Sequence, residues 1–152
     1  MEEHFTLKKS IYLIAGGEEL DLHNNYDFVG LDYSIADRVL ILRWFRSPGD
    51  WVSLDSPSEV ELEYRDVARF EFRPRDPEMP FTEDDCLWDA GYWREAAGWP
   101  DGVWSGCLES GVFSSDAVPK EDWFRAFQFH SGAVVVVGAG EAHAKIRTAN
   151  KP

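Results

Sequence analysis

Positive charge is scarce in this sequence: 15 Lys and Arg stand against 28 Asp and Glu, a formal net charge of −13. Duplex nucleic acid and anionic membranes are held by clustered Lys and Arg, so neither is an expected partner. Cysteine is nearly absent, with only Cys86 and Cys107, too few for a miniprotein stapled by disulfides. Long apolar runs are missing as well. Ala133 to Val137, among the longest, falls far short of the ~20 residues that carry a helix across a bilayer. Met1-Glu2-Glu3-His4 is acidic where an export signal is basic, and Ile11 to Ala15 is too short for that signal's apolar segment. A cytoplasmic protein with reduced thiols is the expectation. Linkers, repeats and low-complexity tracts are also lacking, which leaves a single domain over residues 1–152.

What the sequence does contain is core material: 44% hydrophobic and 14% aromatic residues. A chain of this length can bury roughly 68–70% of its unfolded surface in one core. Tyr26 to Ser34 and Arg38 to Arg46 are rich in β-formers, and Ile35-Ala36-Asp37 between them is short enough for a hairpin. The second of these is apolar on both alternate sets, Val39, Ile41, Phe45 and Leu40, Leu42, Trp44, which predicts a central strand covered on both faces. From Glu59 to Arg73 the period is two, with Val60, Leu62 and Tyr64 set against Glu59, Glu61 and Glu63. A turn at Arg65-Asp66-Val67 would make a hairpin placing Leu62 opposite Phe70; a single bent strand with a bulge is the alternative.

Thr82 followed by Glu83, Asp84 and Asp85, with Gly98 as a stop, predicts a helix over residues 83–97, although Gly91 inside it is unfavourable. Trp123 to His130, Ala133 to Val137 and Glu141 to Thr148 are separated by Gly-containing connections and read as a meander. The predicted architecture is mainly β, an antiparallel sandwich or open barrel with one α-helix near residues 83–97, with an α+β fold as the alternative.

No motif specifies a reaction. The histidines His4, His23, His130 and His143 show no metal-ligand spacing, Gly138-Ala139-Gly140 lacks the residues of a phosphate loop, and Gly-x-Ser-x-Gly is absent. Neither cofactor nor metal is expected. A metal or acid–base role would require His130, Glu141 and His143 to converge across the meander. Two features remain unexplained by folding. Trp88, Tyr92, Trp93, Trp99 and Trp104 crowd a Gly- and Pro-containing segment, and indole rings serve as anchors in protein interfaces and as stacking platforms for sugars. Residues 50–89 carry thirteen carboxylates against four arginines, a face that is either solubilising or a docking surface for a basic partner.

The order of elements, Arg38-Val-Leu-Ile-Leu-Arg-Trp-Phe, then Glu61-Leu-Glu-Tyr-Arg-Asp-Val-Ala-Arg-Phe-Glu-Phe, then Phe127-Gln-Phe-His-Ser-Gly-Ala-Val-Val-Val-Val-Gly-Ala, resembles small bacterial β-rich domains. Some of these are uncharacterised and some are immunity proteins of contact-dependent or polymorphic toxin systems. The resemblance implies a cytoplasmic binding protein that neutralises a toxin, and it transfers no active-site residue. The first functional reading is thus a non-enzymatic module for a basic protein partner, with Glu59, Glu61, Glu63, Asp84, Asp85, Trp88, Trp93, Trp99 and Trp104 as its contact residues. The second is a Trp-lined cleft for carbohydrate or another small ligand, with or without hydrolysis, backed by Asp84, Asp85 and Asp89.

Overall fold

The computed structural model describes residues 1–95, 111–115 and 122–148. It is mainly β, with three open sheets. The strands in chain order are β1 (Glu2–Glu3), β2 (Thr6–Lys8), β3 (Tyr12–Ala15), β4 (Glu18–Asp21), β5 (Tyr26–Ser34), β6 (Val39–Arg46), β7 (Glu59–Arg65), β8 (Arg69–Arg73), β9 (Leu87–Glu95), β10 (Gly111–Ser114), β11 (Phe124–Phe129), β12 (Val134–Gly138) and β13 (Glu141–Arg147). The first sheet runs β1-β13-β7-β6-β5, the second β10-β9-β11-β12-β8, and a small third sheet is β2-β3-β4. Among the described strands only the β1–β13 pair is parallel. Among the described residues no helix is long and apolar enough to cross a membrane.

One apolar cluster draws on all three sheets. Leu40, Leu42, Trp44, Val60 and Leu62 come from the first, Ala90, Phe127, Val135 and Val137 from the second, and Leu13 and Leu20 from the third. The expected β5–β6 hairpin forms, with Ser34 opposite Val39. β6 is not covered on both faces, since its Phe45 is exposed, whereas β11 and β12 are. In β12, Val135 and Val137 face the main core, while Val134 and Val136 join Trp93 and Ala126 in a second cluster on the outer side.

The hairpin expected between Glu59 and Arg73 is not formed, and the bent-strand alternative holds. β7 lies in the first sheet and β8 in the second, so Leu62 faces Ala144 and Leu42 rather than Phe70. β12 and β13 make the same crossing, which also breaks the expected meander: β12 pairs with β11 and β8, and β13 pairs with β7. Arg65 is opposite Glu141 and Arg69 opposite Gly138, so three residues on one strand oppose two on the other. This is a bulge at a corner where paired strands pass between sheets. Asp66 takes up the bend with φ of +54°, and Ala68 N donates to Gly138 O at 2.9 Å.

The helix predicted over 83–97 is absent. Phe81–Glu83 is a single 3-10 turn with Pro80 at its cap and no side-chain capping bond, and Leu87–Glu95 is strand β9; residues 96–98 lie outside the described residues. Local capping signals lost to non-local pairing, because β9 sits between β10 and β11 and buries Leu87, Ala90, Tyr92 and Trp93. Gly91, costly in a helix, is required in this strand: a Cβ there would lie 2.5 Å from the carbonyl oxygen of Ser114 on β10.

Candidate functional site

The connection from β8 to β9, residues 74–86, closes one end of the sandwich and is tied down by backbone bonds. Asp76 N donates to Ser131 O at 2.7 Å, Ser131 N to Glu83 O at 3.1 Å, His130 N to Cys86 O at 3.0 Å, and Phe28 N to Asp85 O at 2.8 Å. Arg75 organises the segment from within. Its Nε donates to Asp84 Oδ1 at 2.7 Å, its Nη2 donates to Met79 O, and its guanidinium lies 4.5 Å from the centre of the Phe81 ring. Fork geometry plus ring stacking is what a guanidinium provides and an ammonium does not.

Beside this segment the seam between the sheets opens. β5 and β8 are the edge strands of their respective sheets, and a cavity of about 280 Å³ lies between Phe28 of β5 and Phe72 of β8, with Phe129 and Ala133 behind it and Arg75 and Asp84 at its rim. Phe72 shares a strand face with Phe70 two residues before it, which packs into the core against Tyr33, yet Phe72 itself is 53% exposed. Phe81 at 82% and Trp88 at 53% flank the same segment. Trp88 owes its position to a second bulge: Leu87 is opposite Phe129 and Asp89 opposite Gln128, leaving Trp88 without a cross-strand partner. Its ring meets His130 edge-on, with 4.6 Å between ring centres.

A histidine–cysteine cluster sits next to this opening. His23 follows β4, where Asp21 Oδ1 accepts its backbone N–H at 3.0 Å; Cys86 precedes β9 and His130 follows β11. The two imidazoles stack at 5.3 Å between ring centres, and Cys86 Sγ is 3.7 Å from His23 Nδ1. Burial pushes the Cys86 thiol up to about 11, helped by the carboxylates of Glu83, Asp85, Asp27 and Asp21. A thiol held protonated in this way is not a nucleophile at neutral pH. Cys86 is a free thiol; Cys107 lies outside the described residues.

No family model, curated protein or solved structure matches this chain.

The residues singled out from sequence divide into three groups. Asp84, Asp85 and Trp88 come together around the β8–β9 connection. Trp93 is fully buried in the outer cluster of the second sheet, with its ring tilted against Phe124 at 6.3 Å between ring centres, and Trp99 and Trp104 lie outside the described residues. Glu59, Glu61 and Glu63 face outward from β7 but are covered by the long cations of both neighbouring strands. Arg43 reaches Glu61 at 2.8 Å, Arg147 reaches Glu59 at 3.2 Å and Glu61 at 3.0 Å, Arg65 reaches Glu63 at 2.6 Å, and Lys145 also bonds Glu63. Glu61 and Glu63 are only 4% and 6% exposed. This is a cross-strand charge ladder, saturated from within the sheet.

The bond to Lys145 comes first among the causes that hold the Glu63 carboxyl below its ordinary value of 4.5; burial opposes it, and Arg65 adds to the lowering. A carboxyl depressed on folding contributes stability above its unfolded value, and that stability is lost as pH falls through the folded one. Thermal midpoints should therefore drop as pH is lowered below about 4.5, and Glu63→Gln should make that acid limb shallower while leaving its shape near pH 7 unchanged. An identical acid limb in the variant would show that the ladder does not titrate.

The grouping of His130, Glu141 and His143 is not formed, because β13 belongs to the other sheet from β11. His143 instead stacks on His4 at 4.3 Å and approaches Glu141 Oε2 at 3.3 Å, while His130 joins His23 and Cys86. Sequence reasoning also missed Arg125, Glu3 and Tyr92, a buried polar group joining β1 to the second sheet. Nothing in their spacing announces it. Arg125 stands in the apolar run Trp123 to Phe129, and only that context marks it as buried.

Proposed function

We propose that the β8–β9 end of the sandwich is a docking site for a basic protein segment that inserts an apolar side chain between β5 and β8. The observation that carries this reading is Phe72: an inner-face aromatic on an edge strand, left half-open above a cavity of about 280 Å³. Apolar surface in a small concavity ringed by charge is the pattern of an anchor pocket with a polar rim. Arg75 at the rim is engaged by Asp84, and the excess charge around it is negative. Asp76, Glu78, Glu83, Asp84 and Asp85 fall within ten consecutive residues that contain no Lys or Arg, in contrast to the neutralised ladder on β7. Complementary positive charge would speed association, and the apolar anchor would slow dissociation. A toxin domain of the systems whose immunity proteins the strand order resembles is a partner of this kind.

The test is a peptide display screen comparing basic peptides that carry one aromatic or large aliphatic residue with matched peptides lacking either feature. Selected basic–apolar peptides should bind more weakly as salt rises, and Phe72→Ala should cost about 2 kcal/mol or more, close to thirtyfold in affinity. Asp76→Asn with Glu78→Gln should lower the association rate while leaving dissociation nearly unchanged. Selection of neutral peptides, or binding indifferent to Phe72→Ala, would overturn the reading. So would binding to neutral glycans at the same residues, which would favour the carbohydrate alternative.

A further inference from the structure

The His23, Cys86 and His130 cluster has no task in the docking site just described. Its three side chains come from three separate connections, after β4, before β9 and after β11, and one ring nitrogen of each histidine and the Cys86 sulfur lie within 4.8 Å of one another. We infer that these three residues bind a single divalent ion of the zinc class.

The donor set is the first argument. Two imidazoles and a thiol are borderline and soft ligands, which suit zinc over magnesium or calcium. Around a tetrahedral ion with bonds of about 2.0–2.3 Å, ligand atoms stand roughly 3.3–3.7 Å apart. With all three ligand atoms within 4.8 Å of one another, the widest separation would have to close by at most about 1 Å, within reach of a small side-chain rotation.

The hydrogen bonding of the rings is the second argument. Leu87 O lies 2.5 Å from His23 Nδ1, and a carbonyl only accepts, so the proton sits on Nδ1 and the lone pair on Nε2. The Glu83 carboxylate is 3.3 Å from His130 Nδ1 and selects the same tautomer. His130 Nε2 is then an acceptor, and it is buried with no hydrogen-bond partner. A carboxylate behind one histidine and a carbonyl behind the other are the outer contacts that orient imidazole ligands. Cation binding would release the Cys86 proton to solvent as the sulfur–metal bond forms, and the excess positive charge would be balanced by Glu83, Asp85, Asp27 and Asp21, all of which bear on Cys86. The second His-containing cluster, His4, Glu141 and His143, offers no sulfur, which makes the two distinguishable by spectroscopy.

The experiment is a cobalt(II) titration of the full-length reduced chain, followed by competition with zinc. The expected result is one equivalent bound with a sulfur-to-cobalt charge-transfer band, displaced by zinc, together with a rise in thermal midpoint. Cys86→Ser should abolish the band, His23→Ala or His130→Ala should weaken binding at least tenfold, and Glu83→Gln, acting through His130, should weaken it about tenfold. Cys107→Ser and His143→Ala should leave the band intact. Circular dichroism of each metal-free variant establishes that it is folded. A folded parent that binds no cobalt, a cobalt complex with no sulfur band, or a band that survives Cys86→Ser would overturn the inference. Peptide docking at Phe72 is a separate readout, so failure of either reading leaves the other standing.

Discussion

Glu3→Ala should lower unfolding stability by about 3–5 kcal/mol, measured by urea or guanidinium denaturation, because it strands a buried cation. The Arg125 side chain is 4% exposed. Its Nε donates to Glu3 Oε1 at 2.8 Å, its Nη2 donates to Glu3 Oε2 and to the Tyr92 hydroxyl at 2.6 Å, and its Nη1 reaches Gly91 O at 3.3 Å. Tyr92 in turn donates to Glu3 Oε2 at 2.7 Å. Burial is the largest influence and works against the charge on Arg125, but the hydrogen bond to Glu3 together with attraction to Glu3, Tyr64 and Tyr92 outweighs it, so the guanidinium pKa ends up raised. Removing Glu3 takes away the countercharge and leaves the buried cation with only the neutral Tyr92 hydroxyl and Gly91 O as partners. It also loosens β1, whose other ties include Glu2 N to Gly140 O and His4 N to Ala142 O, both 2.9 Å. Replacing both partners, Glu3→Leu with Arg125→Met, should recover most of the loss, because an apolar pair carries no unpaired charge. A Glu3→Ala cost under about 1 kcal/mol would mean that Arg125 finds water when its partner is gone.

Trp44→Ala should be comparably damaging, about 3–5 kcal/mol in the same denaturation assay. Trp44 is fully buried on β6 and touches rings from both sheets, Phe28 at 5.0 Å and Phe127 at 5.9 Å between ring centres. Removing it leaves a cavity whose walls are ladder-bonded strands that cannot collapse inward. Trp44→Phe offers a contrasting result. The indole Nε1 is buried without a hydrogen-bond partner, so the phenyl ring gives up volume but also removes an unsatisfied donor, and the net cost should stay below about 1.5 kcal/mol. Equal costs for the two variants would show that ring volume is not what Trp44 contributes.

β-forming composition located β5, β6 and β11 to β13, and period-two alternation located β7 and β8, where Val60, Leu62 and Tyr64 turn toward the core; β1 to β4, β9 and β10 were not foreseen as strands. Partner choice was less legible. Residues 59–73 alternate equally well as a hairpin or as one bent strand, and what separates the two is the bulge at 66–68 against Ala139 and Gly140, a property of the pair rather than of either segment. The false helix has a related cause, since the acidic residues before β9 satisfy a helix start locally but serve here to tie residues 74–86 to Arg75 and the backbone. At the candidate site, Asp84, Asp85 and Trp88 were visible as charge and aromatic outliers. The meeting of His23, Cys86 and His130 was not, because their separation in sequence carries no spacing signal.

The double crossing at the corner ties the stability of the two main sheets together. β7 with β8 and β12 with β13 form one continuous two-stranded ribbon, half of it in each sheet, joined across the bend by Ala68 N to Gly138 O and Gly140 N to Arg65 O, both 2.9 Å. Neither sheet can peel away without fraying a ladder that the other shares. Sub-global opening, in which one layer exchanges its amide hydrogens while the other stays closed, is thereby suppressed along this ribbon. The inner amides of β7 and β12, though they belong to different layers, should therefore exchange as one cooperative unit, at the rate of global opening.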